Sequence, residues 1–242
     1  MNAHSWPTDS LLLSMRTYYS INFIAAAAHE ASSAARIEAA YDGFDADKAL
    51  LHKGAVAASI FMSIAAVEAY INEFFSDCAD AHTPHLAGLG RHAIDRLARA
   101  WTSAAVVEKA SILEKYQLAC LLVDKEPMDL GAPAAQDLAI GIEIRNALMH
   151  FKPQSVDLPM DGTPGTLEGS WRRIGLKLKS RPPLKPSPYA SQGMPEFPHR
   201  MLAHECAERT FNGAQSFLQA YANHLGLTAP PFLHIFSVSK TR

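Results

Sequence analysis

The chain has 242 residues, 48% hydrophobic and 19% charged, with 13 Gly, 15 Pro and three Cys. That length buries a core without a disulfide or metal staple. The Cys (Cys78, Cys120, Cys206) are widely spaced with no CxxC, which argues against a disulfide framework or a thiolate zinc site and fits a reducing cytoplasm. Twenty-two basic against 24 acidic residues leave a net charge of −2, which excludes a generally basic, histone-like nucleic-acid binder.

The first 16 residues have no basic region before their short apolar run and make a poor signal peptide. Met15 to Ala40 reads as a helix with Ile21, Phe23, Ile24, Ala27 and Ala28 on one side, ended at Tyr41-Asp42-Gly43. Asp45 to Cys78 reads as a second, long helix. Asp45 is its expected N-cap, and Ile60, Ile64, Val67 and Ile71 recur at helical spacing. Its uncharged run, Gly54 to Val67, falls short of the ~20 apolar residues of a spanning helix, so the expectation is a core helix of a soluble, cytoplasmic protein with no membrane partner. Pro84, Gly88 and Gly90 mark a turn. His92 to Trp101 and Ser103 to Leu122 are the next helices, the latter with Val107, Ile112, Leu113 and Tyr116 inward. Lys125 to Pro133 is a loop, and Ala134 to His150 a further helix, closed by Phe151-Lys152-Pro153.

The composition then shifts, with nine of the prolines between Lys152 and Pro198. Within this excursion, Trp171 to Lys179 reads as a strand, Ile174, Leu176 and Leu178 alternating with lysines, paired with Thr166-Leu167 through Glu168-Gly169-Ser170. Helix returns from His199 to Leu225 and stops at Gly226, and Phe232 to Val238 is a short apolar segment that could form a strand. The expected architecture is an all-α bundle of five to six helices, 11–150 plus 199–225, with a Pro-rich basic insertion at 151–198 carrying a short hairpin, and a tail at 226–242. Without alternating βα units it is neither a Rossmann nor a TIM fold.

Common enzyme signatures are missing: no glycine-rich phosphate loop, no HExxH and no GxSxG. His82, His85 and His92 cluster, but no carboxylate or Cys stands at ligand spacing, so a solvated loop is expected there rather than a metal. The segment that stands apart is Glu143-Ile144-Arg145-Asn146-Ala147-Leu148-Met149-His150. Asn146 and His150, four apart, share a helix face. Arg145 and His150, five apart, diverge by roughly 140°. Two copies of the helix across a two-fold axis would each supply an Arg and a His to one cleft. The bland alternative is a helix C-terminus decorated with cations.

Arg145-Asn146, followed by His150, resembles the Arg-to-His motif of the HEPN superfamily (higher eukaryote and prokaryote nucleotide-binding domains). Ser63 to Glu73 resembles the long helix that this family packs against its motif helix. The resemblance implies a homodimeric, metal-independent endoribonuclease without cofactor, of the kind found as toxins and phage-defence effectors, with RNA as substrate and an antitoxin or regulatory partner. It implies catalytic roles for Arg145 and His150 with Asn146 assisting, and makes Glu68 a partner of Arg145, with Asn72 nearby. Glu68 and Asn72 read equally well as solvated polar residues. A non-catalytic dimeric scaffold, or a module that binds a nucleotide or a partner, is the alternative.

The 171–185 stretch holds Arg172, Arg173, Lys177, Lys179, Arg181 and Lys185 with no acid, leaving −8 on the rest of the chain. It reads either as a hairpin guarding its own edge with lysines or as an RNA-backbone contact flanked by Trp171 and Tyr189.

Overall fold

In the computed structural model the described residues are 16–82, 86–103, 105–156, 163, 165, 167–191 and 193–227, with only the backbone of 105 and 106 included. They form an all-α bundle with no strand among them. Its helices are α1 (Ser20–Ala39), α2 (Ala46–Ala79), α3 (Arg91–Ser103), α4 (Ala105–Lys109), α5 (Ile112–Leu122), α6 (Pro133–Met149), α7 (Ser170–Lys179) and α8 (His204–Leu225).

Helix α2 is the axis on which the rest is assembled. The Asp45 carboxylate caps it, accepting from the N–H groups of Asp47 (2.9 Å) and Lys48 (3.0 Å), and so satisfies two donors that the helix start leaves free. Val56, Ile60, Ile64, Val67 and Ile71 line its buried face. Helices α1, α3, α5, α6 and α8 all pack on it. By length and composition α2 passes as a membrane span, yet over half of that window is buried inside the bundle, as in the core helix of a soluble protein.

The Tyr116 hydroxyl donates to the Val67 carbonyl at 2.7 Å, and its ring meets Tyr221 edge-on at 4.6 Å, so α2, α5 and α8 join at one buried tyrosine. Gly226, at φ +73°, ends α8 in the left-handed region, where glycine carries no Cβ penalty.

A buried polar cluster ties three helix ends together. The Glu38 carboxylate takes Nε2 of His52 at 2.6 Å, the backbone N–H of His204 at 2.8 Å, and Nδ1 of His204. It thereby satisfies the first N–H of α8 from the far end of α1. Burial pushes the Glu38 carboxyl up, but the His204 and His52 side chains and the His204 N–H outweigh it and bring it down to about 2.

The described residues hold eight α-helices where five to six are expected, with α1 starting at Ser20 rather than Met15 and α8 at His204 rather than His199, and two segments change their element. The expected single helix 103–122 is two, because Ser111 and Glu114 form a capping box that opens α5 afresh. The expected strand 171–179 is helix α7. Trp171, Ile174 and Leu178, spaced three and four apart, are buried, whereas Leu176, which a strand would set beside Ile174 and Leu178, is 59% exposed. The hairpin is therefore absent, and α7 packs on α6. Thr166 and the segment Phe232 to Val238 lie outside the described residues, as does His85. Among the described residues no three ligand-type side chains gather around a metal position.

Candidate functional site

The site starts at a glycine. Gly141 of α6 sits where a Cβ would lie 2.8 Å from Cγ2 of Thr210 (α8) and 3.1 Å from Cδ1 of Ile64 (α2). The absent side chain lets α6 settle into the groove between α2 and α8. One turn further along both helices, Arg145 meets Glu68, with Nη2 to Oε2 at 3.5 Å. The Arg145 side chain is 22% exposed, against 42% for Glu68, and its Nε is buried with no partner among the described residues. The guanidinium is thus held against α2 with part of its donor fork unspent.

One turn beyond Glu68, Oδ1 of Asn72 accepts from Nζ of Lys115 at 2.8 Å. Lys115 is a buried cation on α5, 3% exposed, and Asn72 offsets part of the cost of taking the ammonium out of water. Sequence reasoning missed Lys115. The signal was present: Ile112, Lys115, Tyr116 and Ala119 follow the i, i+3, i+4, i+7 pattern of an inner face, which puts Lys115 inside.

His150 ends α6. Its backbone N–H donates to the Asn146 carbonyl at 3.0 Å, and its exposed imidazole has no partner among the described residues. Asn146 is exposed as well. Arg145 leans on α2 while His150 stands free in solvent, and among the described residues no contact brings the two motif side chains together in one chain.

The basic residues take other places. Glu143 of α6 pairs with Lys177, and with Arg173 at 3.7 Å. Lys179 pairs with Glu196 at 2.6 Å, Arg181 with Asp137 at 3.1 Å, and Lys185 with Glu205 at 3.8 Å. Arg172 alone of the six has no ion-pair partner among the described residues. The insertion nevertheless borders the motif. Phe151, next to His150, sets its ring 5.5 Å from Trp171, which in turn lies 5.5 Å from Phe197.

Chemically, the arrangement offers a fixed, always-charged planar donor at Arg145, a solvent-exposed imidazole five residues on, and a carboxylate and an amide on the facing helix. No family model, curated protein or solved structure matches the chain.

Proposed function

We propose that this chain is a metal-independent endoribonuclease of HEPN type, acting in the cytoplasm as a toxin or phage-defence effector and cutting RNA at a composite site shared by two copies. The observation that carries this reading is the Arg145–Glu68 contact beside a free His150. Glu68 sets the orientation of the guanidinium. Arg145 binds the scissile phosphate and stabilises the charge that grows on its oxygens. His150 takes the 2′-hydroxyl proton as that oxygen attacks phosphorus, and the counterpart His150 protonates the departing 5′-oxygen. The P–O5′ bond breaks as the P–O2′ bond forms, giving a 2′,3′-cyclic phosphate and a 5′-hydroxyl. Asn146, exposed beside His150, donates to phosphate or to the imidazole. The test is cleavage of RNA in EDTA by the wild type and by His150→Ala. Loss of cleavage in the variant is expected, and equal cleavage by both proteins overturns the reading.

A second reading draws on a different observation. Five of the six basic residues at 172–185 are engaged by acids of the bundle or its loops, which reduces the free positive charge available to an RNA backbone. A dimeric scaffold, or a module that binds a nucleotide or a protein such as an antitoxin, needs no such charge. Binding of a nucleotide without turnover, unchanged by His150→Ala, distinguishes it.

A further inference from the structure

A cavity of about 370 Å³ opens between α7 and the turn at 195–197, inside the Pro-rich insertion. Its volume falls within the ~300–1,000 Å³ of small-molecule sites. None of its lining residues belongs to the Arg145–His150 motif. One wall is a helix face, with Arg172, Gly175, Leu176 and Lys179 at i, i+3, i+4 and i+7. Glu196 and Phe197 stand opposite, and Trp171 completes the floor.

The glycine is the first sign that this space serves something other than packing. Gly175 sits in the middle of a ten-residue helix, where alanine is the better helix former. Among the described residues a Cβ there would meet only Cβ of Phe197, at 3.5 Å, an ordinary contact. Packing therefore does not demand glycine here, as it does at Gly141. What the missing side chain does is keep the α7 wall of the cavity open, and a local rule broken without a packing reason points to function.

The floor and the charge narrow the ligand. The Trp171 and Phe197 rings lie 5.5 Å apart and 30° from parallel, both held by burial, and Phe151 backs Trp171. Leu176, 59% exposed, adds an apolar lip. This surface is set before any ligand arrives, so little ordering cost falls on the protein. Lys179 is already neutralised by Glu196 at 2.6 Å. Arg172 is exposed and has no acid partner among the described residues, so the cavity carries one net positive charge on a planar fork with its donors unspent.

We propose that this cavity binds a small planar aromatic carboxylate, its ring packed on Trp171, Phe197 and Leu176 and its carboxylate on the Arg172 guanidinium. A carboxylate matches the fork with two parallel N–H···O bonds and cancels the single charge. A phosphate monoester, with a charge of about −1.5 to −2, would overshoot it and face the Glu196 carboxylate across the cavity.

Calorimetric titration of the full chain with 2-naphthoate tests the proposal. Saturable one-to-one binding is expected. Methyl 2-naphthoate, which lacks the charge, and decahydronaphthalene-2-carboxylate, which lacks the flat ring, should bind about tenfold more weakly. Arg172→Gln should also lose about tenfold, since a charge-assisted pair is removed. Gly175→Ala is the sharper variant. It should leave the urea midpoint equal or higher while binding falls about tenfold, a split that a purely structural glycine would not give. Arg91→Gln, on α3 and away from the cavity lining, should bind as the wild type does.

A wild type without saturable binding overturns the inference. So does equal binding of the methyl ester, an unchanged Arg172→Gln, or an Arg91→Gln as weak as Arg172→Gln. A Gly175→Ala that binds normally, or that loses stability along with binding, also overturns it. Tighter binding of 2-naphthyl phosphate removes the carboxylate assignment, and displacement of 2-naphthoate by a ribo-oligonucleotide gives the cavity to a nucleic-acid strand instead. Each of these readings is independent of RNA cleavage, so the proposal and the ribonuclease reading stand or fall separately.

Discussion

Replacing Gly141 by Ala sets two effects of known sign against each other. In a helix interior Ala is favoured over Gly by about 1 kcal/mol, so helix propensity alone makes Gly141→Ala stabilising. Packing opposes it. The new methyl would lie 2.8 Å from Cγ2 of Thr210 and must recover nearly 1 Å to reach ordinary contact. Ile64 yields readily, since its contact at 3.1 Å is the far end of a flexible side chain. Thr210 does not: it is 4% exposed and β-branched, and its hydroxyl donates to the Cys206 carbonyl at 2.9 Å, which fixes the rotamer. The methyl therefore either forces Thr210 out of that hydrogen bond or pushes α6 away from α8. Overpacking of this kind costs about 1–3 kcal/mol. The net expectation is a loss of about 1 kcal/mol, read as a lower urea midpoint by circular dichroism. Thr210→Ser removes Cγ2 and keeps the hydroxyl. Combined with Gly141→Ala it recovers the loss, giving a coupling energy of about 1–2 kcal/mol in the double-mutant cycle. A Gly141→Ala single variant more stable than wild type by the full propensity term, with no coupling to Thr210, refutes the close approach of α6 and α8.

Two further outcomes follow from burial and titration. The Glu38 carboxyl lies at about 2 when folded against an ordinary 4.5, so it contributes stability that is complete above pH 4.5 and is lost as pH falls through 2, about 3 kcal/mol in all. Glu38→Gln should flatten the acid limb of the stability–pH curve measured by urea midpoints from pH 2 to 7, and an unchanged limb contradicts the cluster. The His204 imidazole runs the other way. Its partner Glu38 raises it above 6.5 against the opposing effect of burial, so its contribution is complete below pH 6.5 and fades as pH rises through the folded value. On α7, Ile174→Ala and Leu178→Ala should each cost about 2–4 kcal/mol, and Leu176→Ala less than about 0.5. Equal costs at 174, 176 and 178 would restore the strand.

What could be read from the sequence was local, and what could not was long-range. The Asp45 cap and the buried face of α2 are written within a few residues of one another, and both appear in the fold. The α7 segment was ambiguous because Ile174 and Leu178 satisfy a period of two and a period of four alike. Trp171, three before Ile174, decides for helix, and a turn prediction at Glu168-Gly169-Ser170 drew the reading the other way. The Glu38 cluster joins side chains 14 and 166 residues apart, a pairing that no local pattern announces. At the candidate site, the motif on α6 and the polar positions Glu68 and Asn72 on α2 stood in plain view. The buried Lys115 that engages Asn72 lies 43 residues away on another helix, a pairing no local pattern announces.

The basic insertion illustrates how charge in a sequence misleads about what holds a structure. Its six cations suggest an electrostatic strap, and five of them do pair with acids of the bundle and its loops. Those pairs are partly exposed, and exposed pairs contribute about 0–1 kcal/mol each, less in salt. Trp171, Ile174 and Leu178 are 4% exposed or less, and each buried side chain of this size contributes about 1.5–3 kcal/mol. The apolar face of α7 therefore outweighs its charges. Hydrogen exchange of the α7 amides should change little between low and high salt, and should rise steeply in Ile174→Ala. Salt-driven release of α7 with the apolar face intact would reverse that ranking.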